Sequence, residues 1–232
     1  MTLKNVTSKL SAVTSVKDLG VTIDDRLNFN EHIHTKINKA YSILGIIKRN
    51  FKHMDCYTFV KLYKTMVRSH LEYAVSDWAP SGKGRIDDLE RVQRRATKMI
   101  KSCHKLPYSD RLEYLKLPTL TYRRIRGDMI EVYKILTNKY DNNVTLNLSL
   151  SNCTYTRGNA LKLTTVRPNL DLKKYTFTVR IVSVWNSLPD SVIKSDTINK
   201  FKNALDKHWQ NEEFRYNYRA KLSGIGTRGL DI

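Results

Sequence analysis

The chain has 232 residues, with 41 lysines and arginines against 22 acidic residues, and its formal charge is +19 at pH 7. Such a surplus attracts polyanions, and nucleic acid is the partner favoured by a basic chain that also holds 13 tyrosines and 3 tryptophans. No apolar run of about 18 residues occurs, which argues against a membrane span. Cys56, Cys103 and Cys153 are scattered singly, which argues against a zinc or disulfide framework. Met1 precedes no apolar signal region, so we expect an intracellular protein.

The first predicted elements are a strand and two helices, which follow a polar, loose segment at residues 1–15. Residues 16–25 read as a strand in which Gly20 marks a turn or a close approach of the backbone. Asn30 is the predicted cap of a helix of about 20 residues. Asp55 is the predicted cap of a second helix, which should end before the Pro/Gly-rich break at residues 80–84.

A basic helix is predicted next, from about residue 86 to residue 103. Its apolar residues recur at helical spacing and should face a core; they are Leu89, Val92, Ala96, Met99 and Ile100. Its cations fall on or beside the opposite face; they are Arg91, Arg94, Arg95, Lys98 and Lys101. Such a helix can pack on one side and bind a polyanion on the other. Further cations decorate the first helix and a later one; they are Lys36, Lys39, Lys48, Arg49, Lys52, Arg123, Arg124 and Arg126.

The second half of the chain is predicted to hold fewer elements. A long helix should begin after Pro118 and run from Thr119 to about residue 139. Residues 141–153 read as a linker, and residues 154–209 as a small α+β region with a strand or hairpin near 161–166 and two helices. Residues 210–232 read as a disordered tail. The expected fold is mainly α: a helical bundle through residue 140 with a short N-terminal strand element, and a smaller α+β C-terminal part.

Two acidic pairs are the best candidates for metal-dependent chemistry. Asp24 and Asp25 end the predicted strand, and Asp87 and Asp88 precede the basic helix. Neighbouring carboxylates can bind Mg²⁺ for phosphoryl transfer. The alternative is stronger for both pairs: the first suits a turn, and the second suits the first turn of a helix, where negative charge is stabilising. The histidines are isolated, so we predict no metal site and no catalytic residue.

Four blocks of sequence carry a family resemblance. They are residues 16–33 (VKDLGVTIDDRLNFNEHI), 71–78 (LEYAVSDW), 89–98 (LERVQRRATK) and 184–189 (VWNSLP). Together they resemble the region that follows the catalytic palm in reverse transcriptases of LINE-type (non-LTR, jockey-like) retrotransposons. The resemblance extends in order over residues 16–209, and the four blocks together are specific.

The resemblance implies a thumb-like helical bundle that lies along a template–primer duplex of RNA or RNA–DNA. The primer-grip-like residues would be Lys17, Leu19, Gly20 and Val21. The candidate contacts to the nucleic-acid backbone would be Lys36, Lys39, Arg91, Arg94, Arg95, Lys98 and Lys101. The family's catalytic aspartate box would lie before residue 16, and the sequence given holds no such box. We therefore expect a fragment of an RNA-directed DNA polymerase that is not itself an enzyme.

On this interpretation the chain has no cofactor of its own, since Mg²⁺ serves the full-length polymerase that it resembles. Its expected partners are a nucleic-acid duplex and the palm and fingers of a full-length copy, with no membrane. The alternative is a transposon relic that has no activity as an isolated chain.

Overall fold

A short β-hairpin opens the part of the chain that the computed structural model describes, which is residues 12–141, 143, 145–151 and 161–223. Strands β1 (Ser15–Asp18) and β2 (Val21–Asp24) pair antiparallel, with Ser15 opposite Asp24. The predicted single strand is therefore a hairpin, because residues 19 and 20 both adopt positive φ angles that reverse the chain. The predicted segments 1–15, 141–153, 154–209 and 210–232 each fall partly outside the described residues.

Helices make up most of the described chain, which confirms the predicted mainly α fold. The first set is α1 (Asn30–Asn50), α2 (Cys56–Leu62), α3 (Ser69–Glu72), α4 (Val75–Trp78) and α5 (Lys83–Thr97). The second set is α6 (Tyr108–Tyr114), α7 (Leu120–Leu136), α8 (Asp171–Lys174), α9 (Phe177–Ser187), α10 (Asp190–Ile193) and α11 (Ile198–His208). A 3₁₀ turn at Glu213–Arg215 follows α11. In the part of the chain that the structure describes, no helix is both long enough and apolar enough to cross a bilayer.

The helix predicted from Asp55 to near residue 78 is interrupted. The Asp55 side chain accepts the backbone N–H of Thr58 at 2.8 Å, which confirms the predicted cap. A π-helical turn (Tyr63–Arg68) then separates α2 from α3, and Ala74 at φ 51° separates α3 from α4.

Buried residues recur at every fourth position along this interrupted helix; they are Phe59, Tyr63, Val67 and Leu71. In a regular α-helix, residues four positions apart are rotated by about 40° relative to each other around the helix axis. The wider π turn rotates them in the opposite direction, so the row stays on one side. Met66 lies off this row and is 41% exposed.

Two cores share α7. The first core packs α1, the π turn, α3 and α5 around residues such as Ile33, Val67 and Val92. The second core packs α7 against α9 and α11 around Trp185 and Phe201. The start of α7 belongs to the first core and the rest of it to the second, so one continuous helix joins the predicted bundle to the C-terminal part.

An ion pair also ties the two parts together. Arg180 of α9 donates to both carboxylate oxygens of Asp128 on α7 at 3.0 Å, and a further N–H of the same guanidinium donates to the carbonyl of Ser76 at 2.8 Å. Asp128 is 6% exposed, so its two hydrogen bonds with Arg180 hold α9 against α7 in a buried setting. The bond from Arg180 to Ser76 holds α9 against α4, at the end of the first helical set. The C-terminal part therefore docks on the bundle.

Two expectations for the C-terminal part are wrong among the described residues. Near residues 161–166 there is only an isolated bridge between Leu150 and Leu163, because the Asn186 side chain donates to and accepts from the Leu163 backbone at 2.8 Å in place of a second strand. The predicted disordered tail is packed as far as residue 223. Phe214 is 1% exposed within the second core, and its carbonyl accepts from the Thr119 hydroxyl at 3.0 Å.

Candidate nucleic-acid interface

Helices α1 and α5 lie side by side and run in the same direction. Three contacts establish this: one near the start of the pair, one along it, and one between the segments that follow the two helices. They are the Arg85 guanidinium to the carbonyl of Asn28 at 2.8 Å, the Arg95 guanidinium 5.3 Å from the ring centre of Tyr41, and Ser102 Oγ to Cys56 Sγ at 3.3 Å. Since residue numbers rise together along both helices, their C-terminal turns lie at the same end of the bundle.

Cations gather at that end, which we call the basic end. Its members are Lys48, Arg49, Lys52, Lys98, Lys101 and Lys105, and all six are exposed. None of the six forms an ion pair within the described residues. The nearest acid along the chain is Asp55. Its carboxylate accepts the backbone N–H of Thr58 in the first turn of α2. The basic end therefore presents positive charge that no acid among the described residues neutralises through an ion pair. Lys105 was not among the predicted site residues because it lies beyond the predicted basic helix, which ends near residue 103.

The predicted cations of α5 have different surroundings. Arg95 is exposed and rests on the face of Tyr41, while Arg91 pairs with Asp88 at 3.0 Å across one helical turn. Lys98 and Lys101 are exposed and extend the row into the basic end. Arg91 and Arg95 stay available to a polyanion, because an exposed cation–π contact or an i,i+3 ion pair contributes only about 1 kcal/mol or less.

Arg94 is occupied within the protein. It donates to the Tyr218 hydroxyl at 2.8 Å, and its guanidinium lies 5.1 Å and 5.7 Å from the ring centres of Tyr108 and Tyr218. The Tyr218 hydroxyl in turn donates to Asp87 at 2.6 Å, and this bond is the main cause of the lowered pKa of Asp87. Arg94 is therefore held by the C-terminal segment and is a poor backbone contact, whereas Asp87 anchors that segment and Asp88 pairs with Arg91.

The primer-grip-like residues meet Lys36 through one tyrosine. Tyr73 donates to the carbonyl of Leu19 at 2.7 Å, and the Lys36 ammonium lies 5.2 Å from the centre of the Tyr73 ring. Leu19 is 83% exposed at the tip of the hairpin, whereas Val21 is buried. Lys17 is exposed on β1, and Lys39 is exposed one turn after Lys36.

The predicted cations of α1, Lys36 and Lys39, lie on a different side of that helix from the predicted cations of α5. Residues two positions apart on a helix are turned by about 200°, so Lys39 points away from Tyr41, the residue that contacts α5. Lys36 therefore lies near the hairpin, and Lys39 is turned away from the side of α1 that contacts Arg95. The predicted site residues form two surfaces rather than one.

The turn at Gly20 provides a direct test of the hairpin. Gly20 has φ 82°, and a Cβ built there would be 3.5 Å from the Tyr73 ring, an ordinary contact. Gly20→Ala should therefore lower the free energy of unfolding by about 1–2 kcal/mol through backbone strain alone. Urea denaturation checks this value. Gly84→Ala is the control, because its φ is not positive and its Cβ would meet nothing within 4 Å; it should be neutral or stabilising. Equal effects of the two substitutions would contradict the turn conformation.

The cations predicted to line α7 are not free. Arg123 forms a two-pronged pair with Glu72, and Arg126 donates to both oxygens of Asp206 at 2.5 and 2.7 Å. Arg124 is 9% exposed, and burial lowers its pKa to about 10. Helix α7 therefore has no basic face, because its arginines pair with acids far away in the sequence or are buried.

The Asp24–Asp25 pair builds a turn. The Asp24 carboxylate accepts the backbone N–H groups of Arg26, Asn28 and Phe29 at 3.1, 3.1 and 2.6 Å. Burial acts to raise the pKa of Asp24, but these hydrogen bonds outweigh it and the pKa is lowered. Across the described ranges, no group of three or more His, Cys, Asp or Glu side chains is arranged to hold a metal ion.

Comparisons with known proteins give one relative and no family. The uncharacterized protein B0403.1 of Caenorhabditis elegans is 26% identical over 135 residues, which is 57% of this chain and 68% of the relative. No protein family matches the sequence, and no solved structure is significantly similar to it. The chain is therefore similar to a nematode protein whose name records no activity, and its function must be argued from its own residues.

Proposed function

We propose that this chain binds the phosphate backbone of an RNA or RNA–DNA duplex through the basic end together with Arg95. The observation that carries the proposal is the set of six exposed cations at one end of α1 and α5, none of which has an ion-pair partner among the described residues. Clustered cations release counterions from a nucleic acid and bind its backbone without reading its sequence.

The resemblance to LINE-type reverse transcriptases supports the choice of a template–primer duplex as the ligand. On this proposal α1 to α7 act as a thumb-like bundle, and the hairpin tip near Lys36 acts as the primer-grip-like element. The catalytic aspartate box of that family is not among the residues of this sequence. The chain itself then contributes duplex binding and no polymerase chemistry, and Mg²⁺ belongs to the palm of the full-length polymerase.

Charge reversal at the basic end tests the proposal. Lys98→Glu combined with Lys101→Glu should weaken binding to an RNA–DNA duplex by tenfold or more at about 0.1 M salt, because two favourable phosphate interactions become repulsive. The decrease should be similar for duplexes of unrelated sequence. The slope of log K against log salt should become shallower by about 2, roughly 1 for each phosphate that is no longer neutralised. Fluorescence anisotropy over a series of salt concentrations measures both quantities.

The matched control is Lys173→Glu combined with Lys207→Glu, which makes the same change in net charge at exposed lysines of α8 and α11. This control should retain most of the affinity, since general attraction depends on net charge whereas backbone binding depends on position. Equal decreases in affinity for the two double variants would contradict a localised interface. Wild-type binding that does not respond to salt would contradict backbone recognition altogether.

A further inference from the structure

Three cations surround one carboxylate beside the π-helical turn. The two carboxylate oxygens of Glu72 on α3 accept hydrogen bonds from Nε and Nη2 of Arg123, the second bond at 2.8 Å. The Nε atom of Arg68 lies 3.5 Å from the same carboxylate. Lys64 is exposed and lies one helical turn before Arg68; burial and the charges of Arg68 and Arg123 lower its pKa. The cluster therefore carries three positive charges and one negative charge.

The hydrogen bonds within this cluster are incomplete. Both oxygens of Glu72 are taken by Arg123, and Arg68 Nε is buried without a hydrogen-bond acceptor among the described residues. A guanidinium has five N–H donors, and a buried N–H that lacks an acceptor is destabilising. A second anion is needed to balance both the charge and the donors.

We infer that Lys64, Arg68 and Arg123 form a binding site for a phosphate group. A phosphate dianion would neutralise the net charge of +2 left by the three cations and Glu72. Its oxygens can accept from the outer N–H groups of the Arg68 guanidinium and from the Lys64 ammonium at the same time, whereas a carboxylate supplies only one charge. The site lies on the π turn and the start of α7, so its residues are distinct from those of the basic end.

The π turn accounts for the geometry of the site. Lys64 and Arg68 lie within Tyr63–Arg68, whose wider winding keeps Tyr63 and Val67 buried. Residues 64 and 68 are four positions apart, so they lie next to each other on one side of the helix, beside that row. π-Helical turns are rare and occur often at functional sites, because they move side chains out of regular α-helical positions.

A phosphate titration of the full chain tests this inference without any nucleic acid. Ionic strength is held constant with sodium chloride, and the ¹⁵N–¹H resonance of Arg68 Nε is followed by NMR. We expect a saturable shift over the millimolar range, together with a rise in the pKa of Lys64, because a bound anion offsets the neighbouring arginine charges. An Arg68 resonance that does not move, or that moves equally when chloride alone is raised, would overturn the inference.

Substitution of Lys64 supplies the second test, since Lys64 is exposed and its replacement leaves the fold intact. Lys64→Gln should weaken phosphate binding about tenfold, the decrease expected for one charge-assisted hydrogen bond. Lys61→Gln is the matched control, an exposed lysine one turn away that lies over the Tyr57 ring, and it should bind phosphate as the wild type does. Equal affinity in the wild type and Lys64→Gln would overturn the assignment.

Comparison of inorganic phosphate with a nucleoside 5′-monophosphate identifies the source of the group. Tighter binding of the nucleotide supports the inference with a nucleotide as the ligand, and equal affinity supports it with free phosphate. Because the probe is a small anion, the site can fail while the proposed duplex binding holds, and the reverse is also true.

Discussion

Replacement of Glu90 by alanine is expected to lower the free energy of unfolding by roughly 3–5 kcal/mol. The Glu90 side chain is 0% exposed and joins three helices: it accepts the Tyr108 hydroxyl of α6 at 2.6 Å and the first backbone N–H of α7, that of Leu120, at 3.1 Å. Alanine would leave both donors buried without an acceptor, and would remove a negative charge near the buried Arg124. Urea denaturation measures the change.

Two other substitutions separate the role of Glu90 from a general effect of losing a glutamate. Glu90→Gln keeps an acceptor oxygen and should cost about half as much as the alanine variant. Glu113→Ala removes an exposed glutamate from α6 and should change stability by less than about 0.5 kcal/mol. If Glu90→Ala were as mild as Glu113→Ala, the bridge between α5, α6 and α7 would not contribute to stability.

The second large effect is a dependence of stability on pH that comes from His32. Burial, with smaller contributions from the charges of Lys36 and Lys17, lowers the pKa of His32 from 6.5 to about 4. Its Nδ1 accepts the backbone N–H of Thr22 at 3.1 Å, and the ring packs against Trp78. Between pH 6.5 and about 4 the unfolded chain binds a proton that the folded chain excludes. Stability is therefore lost as the pH falls through this window, by roughly 3 kcal/mol in total.

Glu90 changes the free energy of unfolding in the opposite direction over much of the same pH range. Burial raises its pKa from 4.5 to about 7, so the folded protein keeps a proton that the unfolded chain releases, and stability is lost as the pH rises. The dependence of wild-type stability on pH is expected to be shallow, because the two groups compensate.

The informative quantity is the difference in stability between the wild type and His32→Asn, which retains an acceptor for the backbone N–H of Thr22. The stability of His32→Asn relative to wild type should increase on acidification, whereas exposed His34→Asn should follow the wild type. A constant difference between wild type and His32→Asn would refute the assignment.

Local sequence signals predicted most of the helices, because caps and apolar spacing are local. Asp55 caps α2 as predicted, and Thr197 caps α11 with its hydroxyl accepting the Lys200 N–H at 3.2 Å. The π turn could not be predicted from propensity, since it arises from the packing of a four-residue apolar row against α1. The packed segment after residue 210 was missed for a related reason. It looks polar in sequence, but Phe214 and Tyr218 bind partners that are 95 and 131 residues away.

The candidate interface could be predicted only in part. Lys98 and Lys101 lie on the exposed face that the pattern indicated. Arg94 and Arg123 were equally plausible in sequence, yet one is held by Tyr218 and the other by Glu72. Whether a cation is free depends on acids and hydroxyls brought near it by the fold, and sequence spacing carries no information on those distant partners. The parallel arrangement of α1 and α5, which unites the basic end, is likewise a tertiary feature.

The contact between Thr119 and Phe214 has a consequence for the order of events during synthesis. The Thr119 hydroxyl caps α7 and donates to a carbonyl that is added to the chain 95 residues later. At about 5–20 residues per second, the ribosome needs roughly 5–20 s to make that stretch. During that interval the nascent bundle has α7 but not the segment that covers it, and Arg94 lacks the hydrogen bond to Tyr218. Completion of the second core therefore waits until Phe214 has been made, and the unfinished bundle is exposed to chaperones until then.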